Sequence, residues 1–250
     1  MPARQPAPVN QLLAALPDAE GERLREHLRA VALNSGEILC EPVETIRHLY
    51  FPDDSLVALL APVDGHPALG VALVGKDGMV GLACALGVGC SHMRALVQGS
   101  GSALRIDAAA FRRTLQRSPC LHAALQRYAD SLMAQITQTA ACNRFHLVEA
   151  RLARWLLMTR DRIGPDRLHL THAFLGHMLG VRREGVTQSA QALKQRGLID
   201  YRRGTVVIVD GRGLEAAACS CYAQLGKLQP SSTPARPSPG RAPGNAGNAP

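Results

Sequence analysis

The sequence is poor in aromatic side chains and contains no long hydrophobic run. Only 4% of its 250 residues are aromatic, and charged residues or prolines interrupt every apolar stretch before the roughly 18 residues that a membrane-spanning helix needs. No apolar signal core follows the first methionine. Seven cysteines are an odd number, spread along a chain too long to require disulfide stapling. These absences predict a cytoplasmic protein with no membrane partner.

Positive charge, in contrast, is concentrated towards the C-terminal end. Residues 1–150 carry 13 lysines and arginines against 14 acidic residues, whereas residues 151–215 carry 12 against 6. Residues 216–250 add three basic residues and no acidic one. A basic segment beside a nearly neutral one favours a polyanionic partner for the basic segment. The alternative interpretation is a basic surface that is merely solvated.

Hydrophobic patterning separates the chain into regions of different secondary structure. Two short helical patterns come first, and residues 31–104 then consist of short apolar runs separated by Gly, Pro, Asn and Asp turns. Strand-length runs at intervals of about 8–12 residues are typical of an antiparallel β sandwich or barrel. A closing helix is predicted over about residues 214–228. Residues 229–250 are nearly all Pro, Ser, Gly, Ala and Asn, a composition that predicts a disordered tail.

The longest periodic segment begins at Pro119, and we predict a dimerisation helix over residues 119–147 with a break near residues 143–148. Its apolar spacing of 4-3-4-3-4 is that of a two-stranded coiled coil. The alternative is an ordinary core helix packed on the β domain. The predicted dimer seam comprises Leu125, Ala129, Leu132, Ile136, Thr139 and Asn143.

A helix-turn-helix pattern follows, with Thr171 as the first N-cap and Gly180 at the turn. A second helix over about residues 182–196 ends at Gly197. Such a second helix enters the major groove of DNA. Next comes a β-hairpin with an arginine-rich tip, a wing able to reach phosphate. The residues predicted to contact DNA on this basis are Thr171, Arg182, Arg183, Glu184, Thr187, Gln188, Gln191, Arg202 and Arg203.

The residues that carry a resemblance to a known family are LTHAFLGHMLGVRREGVT at positions 170–187, LKQRGLI at 193–199 and Arg203-Gly204. Over roughly residues 10–225 the chain resembles the Crp/Fnr family of bacterial transcription regulators. The resemblance implies an α+β protein with an N-terminal antiparallel β-roll of the cyclic-nucleotide-binding type, a long dimerisation helix and a C-terminal winged helix-turn-helix. It also implies that a homodimer binds a promoter pseudo-palindrome, with RNA polymerase as a further partner.

The same resemblance places individual residues. Arg183, Glu184 and Gln188 fall at the positions that read bases, and Arg182 and Gly185 fall at phosphate-facing ones. Family members often have Arg where Gln188 stands, so the target sequence is expected to differ from the best-known ones. On this basis the predicted domains are a sensor domain at residues 1–118, the helix at 119–147 and a DNA-binding domain at 148–228.

The ligand side departs from the pattern of the family's cyclic-nucleotide binders. Leu82 stands where they carry an acid for the ribose, and Gly89-Cys90 stands where they carry an Arg-Ser pair for the phosphate. We therefore expect no cyclic AMP binding and leave the effector unidentified, with Arg94 expected to point out from its strand. The candidate pocket residues are Gly78, Gly81, Leu82, Cys90 and His92.

No cofactor is predicted, although cysteines and histidines leave a haem or metal site open. One candidate group is Cys84, Cys90 and His92, and Cys142 with His146 has the i, i+4 spacing of ligands on a helix. Cys219-Ser220-Cys221 lacks the two-residue spacer of redox and zinc motifs. Buried cysteines and surface histidines, including His169, His172 and His177 near solvent or phosphate, are the commoner explanation.

Two other function classes remain as alternatives. One is an effector-binding or protein-interaction module whose basic domain is only structural. The other is an enzyme, and we do not expect it, because the sequence shows no paired carboxylates, no plausible Ser/His/Asp order and no strand-turn-helix phosphate loop.

Overall fold

The computed structural model of the protein describes residues 10–164, 167–202 and 204–228. The predicted tail and Arg203 lie outside the described residues. The helices are α1 (Gln11–Ala14), α2 (Asp18–Arg25), α3 (Leu82–Ala85), α4 (Ala108–Leu115), α5 (Pro119–Phe145), α6 (Val148–Ile163), α7 (His172–Leu179), α8 (Arg183–Gln195), α9 (Gly211–Ala217) and α10 (Cys221–Leu228). The strands are β1 (Arg29–Leu33), β2 (Ile38–Cys40), β3 (His48–Pro52), β4 (Leu56–Val63), β5 (His66–Val74), β6 (Arg94–Gly99), β7 (Gly101–Asp107), β8 (Arg167–His169), β9 (Ile199–Arg202) and β10 (Thr205–Ile208).

The first seven strands form an antiparallel β domain, as the turn-separated apolar runs predict. One sheet has the order β1-β7-β3 and the other the order β2-β6-β4-β5. Leu49 and Phe51 of β3, Ile106 of β7 and Phe111 of α4 are almost completely buried between these sheets and the helices. Burial of such large apolar side chains stabilises the fold by about 1.5–3 kcal/mol each.

Helix α5 lies on the β domain and is tied to it by polar contacts as well as apolar ones. The Gln135 side chain pairs with the backbone of Leu73 in β5, accepting from its N–H at 2.8 Å and donating to its carbonyl at 3.2 Å. The Tyr128 hydroxyl donates to the Met79 carbonyl at 2.9 Å. The helix ends at Phe145 and α6 begins at Val148, which confirms the predicted break.

The second hydrophobic core joins the C-terminal unit to the β domain. Sheet β8-β10-β9 and helices α6 to α9 surround Leu156, Val186 and Leu193, which are fully buried. Leu56 of β4 and Leu73 of β5 belong to this same cluster. The outer face of one β-domain sheet therefore supports the C-terminal unit.

Two details of the C-terminal unit differ from the sequence predictions. Strand β8 pairs with β10 and was not expected. The closing segment, predicted as one helix over residues 214–228, is two helices, because Ala218 adopts an extended backbone (φ −69°, ψ 154°) between α9 and α10. None of the described helices has the length and apolar content that a bilayer-crossing segment requires.

Candidate nucleic-acid interface

The turn between α7 and α8 depends on two glycines. Gly180 caps α7 in the left-handed conformation (φ +61°). Gly176 packs closely against the turn: a Cβ at this position would be 2.9 Å from the carbonyl oxygen of Val181. The N–H of Val181 in turn donates to the Gly176 carbonyl at 3.0 Å. Thr171 caps α7 by accepting from the Phe174 N–H at 3.2 Å. The predicted helix-turn-helix geometry is confirmed.

Helix α8 has one buried and one exposed face. Val186, Ala190 and Leu193 pack inward. On the opposite face, Arg183, Glu184, Thr187 and Gln188 line an open surface groove of about 320 Å³. Six of the residues predicted to contact DNA on this helix and its cap are exposed: Arg182, Arg183, Glu184, Thr187, Gln188 and Gln191. The seventh, Gly185, is half-buried.

Contacts within the protein already engage the hydroxyl of Thr187. It donates to the Arg183 carbonyl at 3.0 Å and lies 2.9 Å from Nδ1 of His172. The His172 ring stacks on Tyr201 of β9 at 4.1 Å between centroids. Burial lowers the pKa of His172, and the charge of Arg183 lowers it further. His172 therefore joins α7, α8 and the hairpin. The sequence predicts only a contact with phosphate or solvent for this side chain and does not predict this role.

The hairpin carries its positive charge beside an acidic side chain. Lys194 donates to Asp200 at 2.6 Å, and Arg202 Nε lies 3.2 Å from the same carboxylate. The hydrogen bond from Lys194, together with both cationic charges, lowers the pKa of Asp200. The Arg202 side chain is 83% exposed. Because exposed ion pairs are weak, Arg202 can exchange this carboxylate for a phosphate.

Three of the six residues of the predicted dimer seam are buried within this chain. Leu125 and Leu132 are buried in the core of the β domain, and Thr139 is buried as well. Each is less than 8% exposed and so offers little surface to a second chain. The alternative of a helix packed on the β domain accounts for them. Ala129, Ile136 and Asn143 are half-buried.

The candidate effector residues have different surroundings. At Gly78 the space beyond the backbone is filled by the Tyr128 ring, 2.5 Å from where a Cβ would lie. Leu82 packs on the β-domain core, and His92 is exposed. Gly81 precedes α3 with a φ of +95°, and Cys90 is half-buried.

Two further predictions about the ligand side have definite outcomes. The Arg94 side chain is partly exposed and donates to the Glu41 carboxylate at 2.8 Å. It is therefore already paired with an anionic group of this chain. Within the described residues, the metal-capable side chains that come together are Cys142, His146, Cys219 and Cys221. Cys84, Cys90 and His92 do not form such a group there.

Comparison with known proteins supports this geometry. Residues 150–217 match the family model of the Crp-like helix-turn-helix domain. No curated protein matches the sequence significantly. Among solved structures, FixK2 from Bradyrhizobium japonicum has 13% identity and a TM-score of 0.66, covering 77% of this chain and 98% of that one.

Two other solved structures are similar over comparable lengths. CLP from Xanthomonas campestris, described as a c-di-GMP-responsive global regulator, has 19% identity and a TM-score of 0.62, covering 77% of this chain and 99% of that one. A CRP-family transcriptional regulator from Thermus thermophilus has 19% identity and a TM-score of 0.61, covering 75% and 96%. Residues 150–217 are therefore similar to a Crp-like helix-turn-helix domain, and the described chain shares the fold of these regulators.

Proposed function

We propose that the protein binds a pseudo-palindromic promoter site as a homodimer, with α8 of each chain in the major groove. The observation that carries this proposal is the polar outer face of α8, on which Arg183, Glu184 and Gln188 are exposed around an open groove. Arginine pairs with guanine and glutamine with adenine in the major groove, while glutamate accepts from cytosine. In such a dimer the two α8 helices lie about 34 Å apart, one turn of DNA.

Phosphate contacts complement this face. Arg182 is exposed at the start of α8, where free backbone amides and the helix dipole favour an anion. Thr171 is exposed at the start of α7, and Arg202 projects from the hairpin. We assign these three residues to the DNA backbone and the outer face of α8 to the bases. Arg203 is assigned to phosphate from its place in the sequence alone.

We further propose that the dimer forms along a stripe of α5 adjacent to the one first predicted. Ala129, Met133, Ile136, Ala140 and Asn143 repeat at 4-3-4-3 spacing. Met133 is 64% exposed, Ala140 is exposed and the other three are half-buried. Small alanines let two helices approach closely, and the methionine fills the space between them.

Regulation would act at the contact between the β domain and the DNA-binding unit. A Cβ on Gly70 of β5 would lie 2.9 Å from the Met178 sulfur of α7, and Arg162 of α6 pairs with Asp77 at 2.9 Å. An effector other than cyclic AMP, bound in the β domain, would change this contact and so the spacing of the two α8 helices. We also propose that the protein acts in the cytoplasm, contacts RNA polymerase and has no enzymatic activity.

The test compares two arginines on panels of operator variants. Arg183→Ala should weaken binding to the best operator about tenfold to a hundredfold and reduce discrimination at one base pair of each half-site. Arg202→Ala should weaken all sequences alike and make the affinity less dependent on salt. Arg117→Ala, an equal charge change at an exposed site of the β domain, is the matched control.

Equal losses on every sequence for Arg183→Ala and Arg202→Ala would contradict the proposed orientation of α8. A wild-type protein that binds all DNA with the same affinity would instead favour a module whose basic domain is only structural.

A further inference from the structure

We propose that Cys142, His146, Cys219 and Cys221 form a zinc site that joins the end of α5 to the connection between α9 and α10. The four residues come from two segments more than 70 positions apart in the chain. Their ligand atoms all lie within 4.8 Å of one another. Three cysteines and one histidine form a standard donor set for structural zinc.

The distances suit a single tetrahedral ion. The Cys142 and Cys219 sulfurs are 3.4 Å apart, and the Cys221 sulfur is 3.4 Å from Nδ1 of His146. Zinc–sulfur bonds of about 2.3 Å at tetrahedral angles hold sulfurs about 3.8 Å apart. Two of the ligand–ligand distances are therefore close to those of a tetrahedral zinc site, and all of them are within 4.8 Å.

Local structure explains why these side chains converge. Cys142 lies one turn before His146, which caps the C-terminal end of α5, so both point from one side of the helix end. The extended backbone of Ala218 brings Cys219 across to the Cys142 sulfur, and Cys221 begins α10. Cys142, Cys219 and Cys221 are buried, and His146 is half-buried, which limits access of water to a bound ion.

The charges around the cluster favour an occupied site. Arg151 and Arg154 are 6% and 4% exposed, and neither has a carboxylate partner among the ion pairs of the described residues. Arg154 also interacts electrostatically with Cys142 and Cys219. Zinc with three thiolates and a neutral histidine carries a net charge of −1. It would compensate buried positive charge that these arginines direct, within the described residues, only at neutral acceptors, Asn143 and the Leu179 carbonyl for Arg151 and Thr139 for Arg154.

A polar neighbour also orients one ligand. Nε2 of Gln138, one turn before Cys142 on α5, donates to the Cys221 sulfur at 2.9 Å. Donors of this kind hold metal-bound thiolates in place and tune them. A disulfide between Cys142 and Cys219 would account for neither this donor nor the presence of His146 and Cys221 in the same cluster.

The site would act as a clasp at the hinge between α5 and α6. It lies beside residues 146 and 147, where one helix ends and the next begins, and fixes the end of α5 to the far end of the DNA-binding unit. The binding of zinc does not depend on the proposed DNA contacts, so the two proposals can fail separately.

The experiment measures metal in the full-length protein purified under reducing conditions without chelator. Elemental analysis should find about one zinc per chain, and replacement by Co²⁺ should give the intense thiolate-to-cobalt charge-transfer absorption of a sulfur-rich tetrahedral site. Cys142→Ser and Cys219→Ser should each lose the zinc and the absorption. Cys84→Ser, which removes a buried cysteine of the β domain, should keep both.

A measurement on the wild-type chain covers the case in which a variant fails to fold. Native mass spectrometry of the wild-type chain should show one bound zinc ion that a chelator removes. Alkylation in denaturant should then identify Cys142, Cys219 and Cys221 as free thiols, like the exposed Cys120. Cobalt without thiolate absorption, equal zinc content in Cys142→Ser, or a Cys142–Cys219 disulfide under reducing conditions would each overturn the proposal.

Discussion

Helices α5 and α8 both show regular apolar spacing, but only α8 has the buried face that its sequence predicts. In α8 the periodic residues Val186, Ala190 and Leu193 pack inward and polar side chains cover the other side. In α5 the periodic residues Leu125 and Leu132 were expected to meet a second chain, yet they are buried in their own.

The difference follows from what surrounds each helix. Helix α8 is packed by neighbouring elements of its own unit on one side and open on the other. Helix α5 is packed by the β domain along most of its length and by α10 near its end. An apolar repeat thus shows that a stripe of a helix is buried, without showing whether the same chain or a second copy buries it.

The largest effect is expected when the side chains of two adjacent residues of α5 are truncated, because one is buried in its own chain and the other is exposed. Leu132→Ala should lower the free energy of unfolding by about 2–5 kcal/mol, because it leaves a cavity in the β-domain core. Met133→Ala should change the stability of the single chain by less than about 0.5 kcal/mol, because its side chain is exposed. Met133→Ala should instead weaken the dimer. Urea unfolding measures the first effect and sedimentation equilibrium the second.

The opposite result would favour the dimer seam that was first predicted, which includes Leu132, over the stripe that includes Met133. If Leu132→Ala dissociates the dimer without destabilising the chain, and Met133→Ala changes neither, then α5 turns its other face to the partner. Gln126→Ala, at another exposed position of α5, serves as the control for both measurements.

Local signals account for what the sequence predicted well. The cap at Thr171, the turn at Gly180 and the C-terminal glycine at Gly197 lie within a few residues of the structure they determine. The antiparallel strands were likewise visible from their turns. The division of the last segment into α9 and α10 could not be predicted in this way. The extended backbone of Ala218 allows Cys219 to contact Cys142, which is 77 positions away in the sequence.

The same limit applies to the candidate interface. The exposed side of α8 follows from its buried positions, so most of its outward residues could be named in advance. The engagement of Thr187 by His172 depends on how α7 crosses α8 and on the ring of Tyr201 in a separate strand. No spacing within either helix encodes that arrangement.

Two glycines of the helix-turn-helix are expected to respond in opposite ways to substitution by alanine. Gly176→Ala should destabilise the protein by about 1–3 kcal/mol, because the added methyl group meets the Val181 carbonyl and overpacks the turn. Gly185→Ala should stabilise α8 by about 0.4–1 kcal/mol, because the nearest atom, in Val181, is 4.0 Å away and alanine favours helix. Chemical denaturation of both variants gives the difference. Equal effects would mean that the helices do not approach closely at Gly176.

A smaller effect is expected at the start of α7. Thr171→Ala should cost about 1 kcal/mol of stability, because the N–H of Phe174 loses its acceptor. Thr171→Ser keeps the hydroxyl and should restore most of that loss. Denaturant midpoints of the two variants test the cap, and identical values would show that the hydroxyl contributes nothing.

The smallest effect should be a dependence of stability on pH that comes from His172. Burial and the charge of Arg183 lower the pKa of this side chain in the folded protein. As the pH falls below about 6.5, the ordinary pKa of histidine, the unfolded chain takes up a proton that the folded chain resists. Stability from this group is thus complete above that pH and is lost as the pH falls through the folded pKa. His172→Gln stays neutral and can still pair with Thr187, so the urea midpoint of the wild type should fall more steeply between about pH 7.5 and pH 5.5 than that of the variant. Parallel curves would mean that the ring is free in solvent and that α7, α8 and the hairpin are not joined through it.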